Sequence, residues 1–246
     1  MPISLEKALS IAKDFSNEIS AAHPGKILAV FAIGSLGGGY YRPGQSDIDT
    51  VVITSCYRES RPAIASSIRR TANHYQKVYD VPKGFGAIVF AEEQLYPPYR
   101  KEEELIQEIL RLKAQGLLIF GEYDLSSVPS PKKQDIIDDA RVFQAWADEQ
   151  KQLDPNFGIH DTVSFVNSTL IALRRYLMIA HGVIDFNKFH VIDQYLAHHP
   201  PVVDATIFDY IQRYLQNDAP DITLEQFRQM VKWHDHLYLT INRLVL

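Results

Sequence analysis

Two aspartates one residue apart, Asp47 and Asp49, open the apolar run "DIDTVVIT" (47–54), and a glycine-rich stretch, "GSLGGG" (34–39), precedes them. If 47–54 is a strand, residues two apart share a face about 6.8 Å from each other, so both carboxylates project together while Ile48 enters the core. Two bare carboxylates so placed repel one another. A divalent cation removes that penalty, and hard oxygen ligands suit magnesium holding a nucleotide's phosphates. Gly34, Gly37, Gly38 and Gly39 would let the backbone approach a triphosphate, to which the Ser35 hydroxyl and nearby amides could donate. The chemistry implied is in-line attack on phosphorus with metal stabilisation of the entering and leaving oxygens. The plainer reading is that Asp47 ends a turn after "RPGQS" and Asp49 lies exposed on an edge strand.

Other glycine motifs fail on context. A dinucleotide fingerprint needs G-x-G-x-x-G running directly into a helix, but these glycines are spaced differently and "YYRPGQSD" cannot start one. A nucleophile elbow needs G-x-S-x-G, and Ser35 is preceded by Ile33-Gly34. A P-loop would need a lysine that is absent.

The elements that must position these residues follow from periodicity. Leu5, Ala8, Ile11, Ala12, Phe15 and Ile19 recur at helical spacing until Pro24-Gly25. "KILAVFAI" (26–33), 47–54, "KGFGAIVF" (83–90) and "LLIFGE" read as strands, with helices at 62–78 and in "KEEELIQEILRLKAQG". "SSVPSPKK" (126–133) has linker composition, and the apolar spacing beyond it is helical throughout. The expected fold class is α+β: an N-terminal domain, residues 1–128, with a small mixed sheet flanked by helices, then an all-α bundle, residues 129–246.

Composition sets the limits. At 246 residues with 46% hydrophobic and 22% charged, the chain can bury one large core or two modest ones. One cysteine, Cys56, excludes an internal disulfide framework, and no apolar run approaches the roughly 18 residues needed to span a bilayer. "MPISLEKALSIAKDF" reads as a helix and not a signal peptide, so the cytoplasm is the expected location. The net charge of −5 argues against a nucleic-acid partner and suits a cationic small molecule.

"GSLGGGYYRPGQSDIDTVV" resembles the G-S…D-x-D signature of the polymerase-β-like nucleotidyltransferase superfamily, in particular the aminoglycoside adenylyltransferases of the streptomycin/spectinomycin type. By this resemblance Gly34 and Ser35 hold the triphosphate, and Asp47 and Asp49 bind magnesium and carry catalysis. "NSTLIALRRYLMIAHGVIDFNKFHVIDQYLAHHP" (167–200) resembles the C-terminal segment of the same enzymes, which assigns Lys188 to the nucleotide's phosphates and aligns Arg175 with a helix arginine. Without that match, Lys188 is a solvated cation near a helix start. The family carries a third carboxylate on a later strand. The aligned position falls near Phe85, where no acid stands, leaving Asp80, Glu92 and Glu93 as candidates to reach round.

The resemblance implies a magnesium-dependent enzyme that moves AMP from ATP to a hydroxyl of a small, aminoglycoside-like acceptor and releases pyrophosphate. The missing acid keeps two alternatives open: a nucleotide-binding sensor or pseudoenzyme, and a protein-modifying nucleotidyltransferase of toxin–antitoxin type. Arg174 and His181 share a helix face and resemble the arginine-histidine pair of HEPN ribonucleases, or are a surface arginine and a helix-terminal histidine. His234 and His236, two apart on a helix, point to different faces and make no zinc site. Asp154, Asp161 and Asp185 are acids that would suit a cationic substrate, and no spacing selects among them.

Overall fold

The computed structural model describes residues 2–81, 83–99, 106–153, 159–198 and 205–245. The chain forms two compact units, Met1–Tyr99 with Gln107–Pro131, and Lys132–Leu246 with the segment ending at Ile106.

The first unit is built on four strands, β1 (Ile27–Ile33), β2 (Ile48–Thr54), β3 (Phe85–Ala91) and β4 (Leu117–Gly121), in the order β3-β2-β1-β4. β1 runs antiparallel to both β2 and β4, whereas β2 and β3 are parallel. A parallel pair needs a long crossover, and α3 (Arg61–Val78) supplies it. "ILAVFAI" is buried at all but one position because β1 is central, which is why its apolar run is continuous and not alternating. β4 is the exposed edge.

One face of the sheet carries a core cluster with α1 and α3. Helix α1 (Leu5–Ala22) starts at Ser4, whose side chain accepts from the Lys7 amide, and buries Ala8, Ile11, Ala12, Phe15 and Ile19. Those residues meet Ile68, Ala72 and Tyr75 of α3, together with Val30, Ile48, Val52, Phe85 and Val89 of the sheet. Phe15 is fully buried, with ring centroids 4.8 Å from Phe85 and 5.7 Å from Tyr75. Truncating it to alanine would cost about 3–5 kcal/mol.

Alternation along β2 and β3 then dictates the opposite face. With Ile48 and Phe85 committed to this core, Asp49 and Gly86 must turn the other way. A short helical turn, α2 (Gly34–Gly37), follows β1 within the glycine-rich stretch, and α4 (Ile106–Gln115) follows β3.

The second unit is helical: α5 (Lys133–Leu153), α6 (Thr162–His181), α7 (Val191–His198), α8 (Ala205–Leu215) and α9 (Leu224–Val245). α6 packs against α5, α7 and α9. Its start is capped by Asp161, which accepts from the Ser164 amide at 2.7 Å, and its end by Gly182 in the left-handed region (φ 68°).

Candidate functional site

The site is the end of the sheet where β1 gives way to the glycine turn. Ile33 and Gly86 flank Asp49 in register on either side, and Asp47 stands just before β2 begins. Gly34 adopts φ +64°, a conformation that side chains disfavour, and a Cβ there would lie 2.6 Å from Arg111 Nη2 and 3.2 Å from Asp49 Oδ2. The glycine turn therefore lies directly against a guanidinium. Ser35, 8% exposed, has its Oγ buried without a hydrogen-bond partner among the described residues.

The residue that sequence reasoning missed is Arg111 of α4. Its Nη2 donates to Asp49 Oδ2 at 2.7 Å, both side chains being 23% exposed, and its Nη1 is 3.6 Å from Glu108 Oε2 one helical turn back. Burial alone would lower the arginine's pKa, but the Asp49 and Glu108 carboxylates more than reverse this, so the group is firmly charged. Asp47 lies near Tyr41, whose phenol is pushed up first by burial and then by that negative charge. Gln115, at the end of α4, donates to the Tyr40 hydroxyl at 3.1 Å.

Phe85 is not the position across from the aspartates. It pairs with Ile48 and faces the core, while the residue opposite Asp49 is Gly86. A Cβ at Gly86 would lie 2.5 Å from Asp49 Oδ1, so any side chain there would collide with the carboxylate as it stands. The other acids do not fill the gap. Glu92 and Glu93 begin the turn after β3, about 20 Å along the strand from Gly86. Glu93 there accepts from the Arg58 amide. Asp80 is an exposed turn residue in the left-handed region (φ 49°).

The donor set can be tested against magnesium. That ion needs a near-octahedral shell of oxygens at about 2.0–2.1 Å. Among the described residues, no three of His, Cys, Asp or Glu gather as a metal-holding group. Asp49 Oδ2 is engaged by the guanidinium, so a dication there has to share that oxygen with Arg111 or displace it. The residues in this arrangement do not make the three-carboxylate magnesium centre that the resemblance implies, because no acid stands opposite Asp49 and its Oδ2 is taken by Arg111.

In the second unit, Lys188 lies in the turn before α7, its Nζ 5.5 Å from the Phe189 ring centroid. Arg175 is buried with its guanidinium stacked on Phe143 at 3.7 Å, an interior role. Arg174 and His181 turn to different partners: Arg174 donates to the Phe186 carbonyl, and the His181 ring stacks on His198 with centroids 4.2 Å apart. His234 is buried beside Phe165 and His236 is exposed, as their spacing requires. Asp161 is a helix cap and Asp185 accepts from the Asn187 amide and meets His190 at 3.1 Å. Asp154 lies outside the described residues.

The four-stranded mixed sheet, with the glycine turn after β1 and the aspartates at β2, is that of the nucleotidyltransferase fold. Among solved structures, the chain is similar to spectinomycin adenyltransferase AAD(9) from Enterococcus faecialis, solved with ATP and spectinomycin. The TM-score is 0.58 and the identity 17%, over 94% of this chain and 96% of that one. At this identity the likeness speaks for the fold alone. A weaker similarity, with TM-score 0.30 and 12% identity over 57% of this chain and 90% of that one, is to a toxin-antitoxin structure with AMP-PNP; it carries no argument. No protein-family model and no curated protein matches the sequence. Among the described residues, no helix is long and apolar enough to cross a membrane.

Proposed function

We propose that the protein binds a nucleoside triphosphate at the Gly34–Ser35 turn and that binding, rather than transfer, is its principal activity. The observation that carries this reading is the contact of the Gly34 turn with the Arg111–Asp49 pair, which sets a charged guanidinium beside backbone able to approach phosphates. The partnerless Ser35 hydroxyl supports it, because a buried hydroxyl without a hydrogen bond costs about 1–3 kcal/mol until a ligand satisfies it. ATP is the nucleotide of choice because the spectinomycin adenyltransferase of the same fold was solved with ATP. Lys188 keeps the phosphate-binding role that the sequence resemblance gave it, and its alanine variant is a separate test. Binding without transfer is favoured by Gly86, which leaves no acid opposite Asp49.

The second reading is transfer of AMP from ATP to a hydroxyl of a small, aminoglycoside-like acceptor with release of pyrophosphate. It is favoured by Asp47 and Asp49 at the mouth of β2. Incubation with α-labelled ATP and an aminoglycoside panel that includes streptomycin and spectinomycin, alongside calorimetric titration with ATP, separates the two. Binding with no labelled product supports the first reading, a labelled product lost in Asp49→Asn supports the second, and absence of both overturns each.

A further inference from the structure

The charge balance of the site points beyond nucleotide binding to how it is achieved. Asp49 puts a carboxylate beside the turn proposed to receive a polyanion, with Asp47 two residues before it in the chain, and a cation is required before any phosphate can settle there. The cation that meets Asp49 is part of the chain. Arg111 carries five N–H donors in a planar fork, and among the described residues its hydrogen bond is the one to Asp49; Glu108, at 3.6 Å, attracts its charge without forming a second. Its side chain keeps 23% of its exposure, and the lack of a Cβ at Gly34 leaves Nη2 uncovered on that side.

We infer that Arg111 takes the place of a divalent ion in this site: its free N–H groups receive the phosphates of the bound nucleotide while Asp49 holds the guanidinium in position, so the nucleotide binds without magnesium. This rests on the nucleotide-binding reading above. Arg111 offsets part of the negative charge of Asp47, Asp49 and Glu108, and Gly86 keeps the space around Asp49 Oδ1 clear for the pair.

The test is calorimetric titration of the full chain with ATP, in EDTA and in magnesium chloride at matched ionic strength. The expected result is a Kd that differs by less than about threefold between the two buffers. Arg111→Met should raise the Kd in EDTA by about tenfold or more, with Arg111→Lys intermediate because it keeps the charge and loses the fork. Wild-type binding that tightens about tenfold or more on adding magnesium overturns the inference, as does an Arg111→Met variant that binds like wild type. The wild-type comparison decides even if Arg111→Met fails to fold. Absence of ATP binding in both buffers overturns the nucleotide reading itself, an outcome distinct from binding that depends on metal.

Discussion

Asp49 and Arg111, 62 residues apart in the chain, are joined by a 2.7 Å hydrogen bond between Oδ2 and Nη2 at the end of the sheet. Both side chains are about three-quarters buried, so the pair is neither a solvated surface bridge nor a fully dehydrated one. A double-mutant cycle with Asp49→Asn and Arg111→Met, read by urea denaturation, should give a coupling energy of about 1–3 kcal/mol. Additive single-variant effects would show that the pair contributes nothing to the fold.

Ser35→Ala should separate binding from stability. The variant removes a buried hydroxyl that has no hydrogen-bond partner among the described residues, so the midpoint of unfolding should hold or rise slightly. ATP affinity should fall by about ten- to a hundredfold, the value of one hydrogen bond to a charged oxygen. An unchanged Kd would remove Ser35 from the nucleotide site.

Gly86→Ala places a Cβ 2.5 Å from Asp49 Oδ1, and the carboxylate has to move away from its place beside Arg111. Overpacking of this kind costs about 1–3 kcal/mol. Denaturation of Gly86→Ala, Asp49→Ala and the double variant checks the cause: Gly86→Ala should cost much less in the Asp49→Ala background than in wild type, because the atom that is struck is gone.

The Asp161 cap gives a pH dependence. Hydrogen bonds from the Ser164 amide and hydroxyl hold its pKa below the usual 3.8, so the folded state binds its proton more weakly than the unfolded chain does. Its stabilisation is therefore present above about pH 4 and is lost as the pH falls through the folded value. Wild type should unfold at a higher temperature than Asp161→Ala at neutral pH, with the gap narrowing in acid. A gap that stays constant down to pH 3 would mean that the charge is not what caps α6.

The elements were legible in the sequence because local patterns set them. The continuous apolar run of β1 announced a central strand, and the helical spacing of Ala8, Ile11, Phe15 and Ile19 announced the face that packs on it. The resemblance in "GSLGGGYYRPGQSDIDTVV" led to the fold that the structure has. Gly34, Ser35, Asp47 and Asp49 do gather at one end of the sheet, since a strand, a turn and a neighbouring strand leave them no other place.

What the sequence could not determine was register and long-range pairing. An alignment that places the position only near Phe85 leaves one residue open, and in a strand one residue is the difference between core and site. The parallel pairing of β2 with β3 decided it, setting Gly86 beside Asp49 and sending Phe85 to the core. Arg111 carries no local signal of a place in the site, because nothing nearby in the chain ties it to a strand 62 residues earlier. Only the packed structure brings α4 to that face of the sheet, and with it the positive charge that the two aspartates require.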